Sequence, residues 1–489
     1  MSDANRLVER QNAEIQSAAE PRAGGFTAPT RVEELSVGDQ TLWYTAYPAH
    51  LTTLRDSWER ALTAAETRCA VIPAGRAPGY LFDDQAAPYR PNPHFARWLP
   101  GLHAEGSVLL IEPGKQPLLL FHQPSDFWHL PPSVPGWLED QLTVKCYSSE
   151  AEVCEALAEH PATADAPVII GPSQSAAWLP QAQLNPAELL ATIDYERAWK
   201  TRFEQICLFR ASQRAAAGHN AAEHAFYTLA GAERTELAVH QAYLAASAQT
   251  DSDLPYRSIV GFNEHAGVLH YQHYERRAPV ACYSLLIDAG ATYAGYAADV
   301  TRTYALERTG LYHELVCALE QAQLELITSI EDGQSYLHLH VQMHDMIARV
   351  LCDAELLRCT PEQAIERRLT EAFFPHGLGH LLGLQTHDVG GLLRAVDKTE
   401  QPPPERYPAL RLTRPISPGQ VFTIEPGIYF IDQLLEPLLA QPDGSVVDRN
   451  LLSELKAFGG IRIEDNVLVA SHGALNLTRT AFQTPDARR

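Results

Sequence analysis

Apolar residues in the first third of the chain gather in short runs separated by polar and Pro/Gly-rich turns, the spacing of strands alternating with helices. "LWYTAY" (42–47) and "CAVIPAG" (69–75) predict strands around a helical "LTTLRDSWERALTAAE" (51–66). "SVLLIEPGKQPLLLFHQ" (107–123) predicts two apolar strands joined at a Pro-Gly turn, and "APVIIGP" (166–172) a last strand. From about 190 to 250 the pattern changes to Ala, Glu, Gln and Leu with apolar positions at helical spacing. Strand-like runs return at "YRSIVGFNEHAGVLHYQH" (256–273), with helices expected near 311–330 and 338–357. This predicts an α/β (α+β) organisation: a polar extension over residues 1–35, a smaller N-terminal α/β domain over 36–185 and a larger C-terminal domain over 186–489. No short-period repeat is visible, which argues against a solenoid.

A chain of 489 residues can build such domains around cores that need no covalent staples. No run of eighteen apolar residues occurs, so membrane integration through a helix is not expected. The start, "MSDANRLVERQNAEIQ", lacks the basic end and apolar stretch of a secretory signal, and a cytoplasmic location is expected. A formal net charge of −22 disfavours nucleic acid and anionic membranes as partners but admits small substrates and metal cations. The eight cysteines fall at irregular spacings without a CxxC pair, which predicts free thiols.

Candidate chemistry is confined to the second half. In "YSLLIDAGATYAGYAADVTRTY", a turn at Tyr293 and Ala294 would place Asp288 and Asp299 opposite one another on antiparallel strands, roughly 5 Å apart. Like charges so placed need a cation or a shared proton, unless both simply face solvent at a turn. "VFTIEPGIYF" puts Glu425 at the end of an apolar strand, where burial without a partner is costly. In "FGGIRIEDNVLV", alternation sends Ile461 and Ile463 to one face and Arg462 with Glu464 to the other, as a functional pair or a structural ion pair. His376, His380 and His387 crowd into the glycine-rich "FFPHGLGHLLGLQTHDVGG". The first two have the spacing of a helical ligand pair, but Gly-Leu-Gly between them makes a helix poor and no HExxH glutamate is present. The glycines predict instead a turn that brings backbone and imidazoles close to a ligand.

Together these residues resemble the metallopeptidase family that contains prolidase, aminopeptidase P and methionine aminopeptidase, built on the pita-bread fold. The family's ligand order Asp, Asp, His, Glu, Glu falls on Asp288 in "IDAG", Asp299 in "AADVTRT", His380 in "HGLGH", Glu425 in "TIEPG" and Glu464 in "RIED". The resemblance is nearest to the bacterial Xaa-Pro dipeptidase branch, which includes organophosphorus acid anhydrolases, through "YLFDDQAAPYRPNPHFARWLP", "LHYQH", "HGLGHLLGLQTHDVGG" and "TIEPGIYFIDQLL". It implies a smaller N-terminal α/β domain followed by a C-terminal pita-bread domain. It also implies two divalent ions, usually manganese, with cobalt or zinc able to bind: Asp299 and Glu464 bridge, Asp288 serves one ion, and His380 and Glu425 serve the other.

By the same resemblance Glu425 relays a proton, and His376 and His387 donate hydrogen bonds to substrate. His270 and Tyr256 line the pocket, and Arg462 and Arg411 are candidates for the product-side carboxylate. Asp84 in "LFDD" reaches the neighbouring subunit's pocket in a homodimer. The implied activity is release of proline from Xaa-Pro dipeptides, with organophosphate ester hydrolysis as a side activity. Two alternatives stand beside it: an aminopeptidase P acting on longer peptides, and a pita-bread binding module without catalysis.

Overall fold

The computed structural model describes residues 28–394 and 400–484. Most of the expected polar extension, residues 1–27, lies outside the described residues. Its last residues turn inward, where Val32 and Leu35 are buried in a short 3-10 turn.

The first apolar run is helical, not the strand its aromatic residues suggest. Leu42–Ala46 forms a π turn that runs directly into α1 (Tyr47–Ala64). Leu42, Ala46, Leu51, Leu54, Trp58 and Ala61 are all buried, so a stripe of helical period already begins at residue 42. That stripe outweighs the β preference of a six-residue aromatic window. Next come β1 (Ala70–Pro73), α2 (Pro93–Trp98), β2 (Val108–Ile111), β3 (Leu118–His122), β4 (Thr143–Tyr147), α3 (Glu150–Ala158), β5 (Val168–Ile169) and β6 (Gln183–Leu184). The strands form one sheet in the order β4-β3-β2-β1-β5-β6. β1, β2 and β3 pair antiparallel, while β4, β5 and β6 join parallel. Both faces of β1 and β2 are buried, which is why they read as continuous apolar runs.

The Ala-rich stretch is three helices, α4 (Ala187–Arg197), α5 (Arg202–Thr228) and α6 (Glu236–Ser247). Thr201 and Glu204 start α5 with a capping box. Glu204 also accepts from Arg97 of α2 (Nε to Oε1, 3.2 Å), so a buried ion pair links α5 to the first half.

The second half carries β7 (Ile259–Phe262), β8 (Ser284–Asp288), β9 (Thr292–Tyr293), β10 (Tyr296–Ala297), β11 (Thr301–Ala305), α7 (Leu311–Thr328), α8 (Tyr336–Asp353), β12 (Val421–Ile424), β13 (Gly427–Tyr429), β14 (Gly460–Arg462), β15 (Asp465–Val469) and β16 (Ala474–Asn476). They form the sheets β11-β8-β7, β12-β15-β16 and β13-β14, with β9-β10 as a hairpin. An isolated bridge between Thr301 and Glu464 joins the first two. One apolar core, including Leu319 of α7, Ile347 of α8, Phe422 of β12 and both Ile461 and Ile463, backs the strands.

The hairpin turns one residue later than the sequence suggests. Ala294 and Gly295 form the two-residue loop, with φ of 52° and 86°, and Tyr293 faces Tyr296. Positive φ at both loop positions matches the twist of the flanking strands, and glycine takes the second at little cost. Asp288 therefore faces Thr301, not Asp299. Asp299 lies outside β11, two positions before Thr301.

Candidate metal centre and active site

His380 sits on extended chain, and His376 at a bend just before it. The segment 378–382 lies antiparallel to β12: Glu425 N donates to Leu378 O (2.8 Å), Thr423 N to His380 O (3.0 Å) and Leu382 N to Val421 O (3.0 Å). A Cβ at Gly379 would collide with the Thr423 carbonyl and the Tyr336 hydroxyl. This glycine thus serves close packing against β12, rather than approach to a ligand. The pairing brings Glu425 and His380 to the same end of the strand pair.

Five side chains converge there. Asp299, His380 and Glu464, all buried, bring one ligand atom each within 4.8 Å of one another. His380 Nδ1 donates to the Leu381 carbonyl (3.0 Å), so Nε2 faces the acids, 3.4 Å from Asp299 Oδ2 and 3.6 Å from Glu425 Oε1. Asp288 joins through Tyr256, whose hydroxyl lies 2.7 Å from Asp288 Oδ1 and 2.5 Å from Asp299 Oδ1. A phenol has one proton for these two acceptors, so the arrangement calls for a further proton or a cation.

The electrostatics make the same demand. Burial, opposed by the Arg462 charge and reinforced by Asp299, raises the Asp288 carboxyl above its ordinary value. Burial raises Glu425 to about 7, with His380 opposing, and raises Glu464 well above the carboxylate range with help from Asp299 and Glu425. At Asp299 burial also acts upward, but the hydrogen bond and charge of His380 prevail and hold it low. Two buried acids, two half-buried ones and an imidazole are a donor set that suits divalent ions, and two such ions would offset the four carboxylates.

A second layer of residues holds the acids in place. Thr301 Oγ1 donates to Glu464 Oε2 (2.7 Å). Asn466 Oδ1 accepts from the Asp299 amide (3.2 Å). Arg462 directs Nη2 at Asp288 Oδ2 (2.7 Å), Nη1 at the Tyr429 hydroxyl (2.9 Å) and Nε at Thr301 Oγ1 (3.2 Å). Tyr429 also donates to His376 Nε2 (2.9 Å), whose Nδ1 donates to the Gly377 carbonyl (2.8 Å). Burial and the Arg462 charge lower His376 to about 3, so the ring is neutral.

The four acids and the imidazole form the floor of a cleft of about 1210 Å³, lined also by His270, His387, Arg411 and, from the first half, Tyr89 and Arg90. The His387 and His380 ring centroids lie 4.3 Å apart, and burial with the His380 charge lowers His387 to about 4. Arg411 and His270 are exposed to the cleft. Asp84 is not in the cleft wall; it lies in an exposed turn of the first half and accepts from Gln85 Nε2 (3.3 Å).

Thr301, Tyr429, Asn466 and Arg90 were not singled out from the sequence. Thr301 lies two positions beyond Asp299 and Tyr429 two beyond Gly427, the residue paired with Arg462, so period-two alternation was the signal available for both. Arg90 gave no local signal: its guanidinium crosses from the first half to the carbonyls of Leu254 (2.7 Å) and Pro255 (2.9 Å), bracing the segment that presents Tyr256.

Residues 207–471 match metallopeptidase family M24. The chain belongs to that family. Residues 45–195 match the Xaa-Pro dipeptidase N-terminal domain. An Xaa-Pro dipeptidase of Xanthomonas oryzae pv. oryzae is 40% identical over 439 residues, spanning 89% of this chain and 97% of that protein. One of Pseudoalteromonas translucida is 38% identical over 436 residues, spanning 88% and 97%. Among solved structures, Escherichia coli aminopeptidase P with the inhibitor Pro-Leu superposes with a TM-score of 0.67 at 21% identity, covering 87% of this chain and 95% of that one. Proline aminopeptidase P II from Yersinia pestis gives 0.65 at 22% identity, covering 88% and 97%. The M24 chain thus has the fold its motifs imply, an α/β first half followed by a pita-bread second half.

Proposed function

We propose that this M24 hydrolase cleaves Xaa-Pro dipeptides and releases proline. The observation that carries the reading is the convergence of Asp288, Asp299, His380, Glu425 and Glu464 at the floor of a cleft whose wall presents an exposed arginine, Arg411. The near full-length relatives, which are Xaa-Pro dipeptidases, favour a dipeptide over the longer peptides of an aminopeptidase P.

Asp288, Asp299, His380, Glu425 and Glu464 would hold two divalent ions, with manganese the proposed pair and cobalt or zinc able to replace it. Bound there, the ions supply Lewis acidity that makes water nucleophilic at neutral pH and polarises the scissile carbonyl. Glu425, at the edge of the acid cluster beside His380, would take the water proton and return it to the proline nitrogen. His387, neutral and facing the cleft, donates to the substrate carbonyl, and His270 closes the same side. His376 has both ring nitrogens engaged, by Tyr429 and Gly377, and therefore positions the Glu425 side of the cleft instead of donating to substrate. Arg462 is likewise committed to Asp288, Tyr429 and Thr301, which leaves the substrate carboxylate to Arg411.

The proposal extends to a cytoplasmic homodimer. Leu81 and Phe82, at 83% and 99% exposure, precede Asp84 in the turn that would reach the partner's cleft, and light scattering of the purified protein checks the dimer. Organophosphate ester hydrolysis is proposed as a side activity of the same centre, checked by metal-dependent turnover of a nitrophenyl phosphotriester.

The deciding experiment assays metal-stripped protein on Gly-Pro, Ala-Pro and Leu-Pro against a proline-containing tripeptide, with and without manganese, beside Glu425→Gln. Manganese-dependent cleavage of the dipeptides alone, lost in the variant, is expected. Faster tripeptide cleavage would reassign the chain to aminopeptidase P activity. No cleavage with any divalent ion would leave a binding module.

A further inference from the structure

His270 reaches the cleft on the long connection between β7 and β8, and a single buried side chain ties the start of that connection to Glu275, just beyond the stretch that carries His270. Glu236, 1% exposed, stands at the first position of α6 and accepts four hydrogen bonds. On Oε1 they come from the Phe262 amide (2.9 Å) and His265 Nδ1 (2.7 Å). On Oε2 they come from the Tyr271 hydroxyl (2.9 Å) and the Glu275 amide (2.8 Å). Phe262 and Glu275 bracket residues 263–274 of that connection, and His265 and Tyr271 lie within this stretch, stacked on one another at 4.4 Å. His270, next to Tyr271, is with Gln272 an exposed residue that this stretch presents to the cleft.

A buried carboxylate with no lysine or arginine partner is costly unless its lone pairs are filled. Here four donors fill them, and the N-terminus of α6 adds favourable dipole charge. None of the four donors belongs to the acid cluster at the floor of the cleft. We propose that Glu236 is the positioning residue for His270, fixing the loop that sets how this imidazole meets the substrate. Chain entropy explains why one group suffices: joining the ends of a loop removes most of the freedom that would otherwise let its apex wander. The inference rests on the reading of His270 as substrate-facing.

The test is a double-mutant cycle on the metal-loaded full chain with Ala-Pro as substrate. Glu236→Gln keeps the shape but replaces one acceptor oxygen with a donor group that opposes two of the four donors. It should lower kcat/KM by about tenfold to a hundredfold, the range expected for misplacing a group in the cleft. In a His270→Ala background the same substitution should cost less than about twofold, because the group it positions is gone. Bound metal should match the unsubstituted protein, and amide exchange should rise within residues 263–275. Tyr271→Phe, which removes one donor and leaves the carboxylate, carries the same cycle at about threefold if Glu236→Gln does not fold. Equal losses in both backgrounds would mean general destabilisation and overturn the proposal. So would full activity of Glu236→Gln beside an impaired His270→Ala. Full activity of His270→Ala would instead remove the role of His270 itself, and the proposal with it.

Discussion

Arg462 Nη2 lies 2.7 Å from Asp288 Oδ2, a pair whose side chains are 5% and 13% exposed. The guanidinium is a three-way brace, because Nη1 and Nε are spent on Tyr429 and Thr301. A planar fork serves three directions at once, and an ammonium cannot. Arg462→Lys should therefore fail to rescue. We expect kcat/KM to drop at least about a hundredfold in both Arg462→Lys and Arg462→Met, since Asp288 loses its orientation. Arg462→Met should also lower stability by roughly 3–5 kcal/mol, the cost of leaving a buried partner unpaired. Steady-state kinetics and thermal melts check both; a fully active lysine variant would show that charge alone suffices.

Arg411 makes the contrasting prediction. It faces the cleft from an exposed position, so its loss should cost binding, not architecture. Arg411→Met should raise KM for Ala-Pro by about tenfold or more with kcat within about threefold, as expected when a charge-assisted contact to a carboxylate is removed. The melting temperature should not move. A dipeptide amide, which lacks the carboxylate, should be turned over equally by both proteins; a variant impaired on the amide as well would contradict the assignment.

The legible parts of this molecule were those set by short periods. Alternation placed Arg462 with Glu464 and the two isoleucines opposite, even though β14 and β15 are separate strands around that site. An apolar run ending in Pro-Gly placed Glu425 at a strand end. Where two conformations differ by one residue, the sequence was ambiguous. The hairpin closes at Ala294 and Gly295, where glycine takes the second positive φ at little cost, and that single step moves the partner of Asp288 from Asp299 to Thr301. Contacts distant in sequence left no trace at all. Nothing near Arg90 announces its hold on Leu254 and Pro255, and nothing in "TELAVH" announces that Glu236 closes a loop some forty residues on. Burial of Leu42 and Ala46 likewise depends on what α1 packs against, which the aromatic window could not report.

Asp388, the neighbour of His387, joins the histidine loop to the junction between α4 and α5. Its Oδ1 lies 2.5 Å from Arg197 Nη2 and its Oδ2 lies 2.8 Å from Lys200 Nζ, with all three side chains at most 3% exposed. Asp388→Asn removes the carboxylate charge that both buried cations face, and should cost about 3–5 kcal/mol. Lys200→Met in that background removes one orphaned charge and should recover part of the loss, a coupling measurable by denaturant unfolding. Simple additivity of the two substitutions would show that they do not act as one cluster.

The acid cluster predicts an inverted pH dependence for the metal-stripped protein. Burial raises Glu425 from 4.5 to about 7 and also raises Asp288 and Glu464, so between those values the native chain binds more protons than the unfolded one. Stability then falls as pH rises through that window, by on the order of 3 kcal/mol from Glu425 once complete. Groups held low act in the other direction. Burial works against Glu204 and Asp465, but Arg97 and His50 carry the first to about 2, and Arg302 and Arg479 the second to about 2; the stability they contribute is present above their ordinary values and is lost as pH falls toward 2. His376 and His387, held at about 3 and about 4 by burial, likewise make stability rise with pH up to their ordinary value of about 6.5, so in chelator the melting temperature should peak near neutrality and decline toward pH 8. Manganese binds the deprotonated ligands, so saturating metal should reverse the slope, with stability rising from pH 5 to 8. Melting curves across that range, with chelator and with excess manganese, give the answer directly. A chelator curve that is flat through pH 7 would mean that the four carboxylates do not share a buried, mutually repelling site.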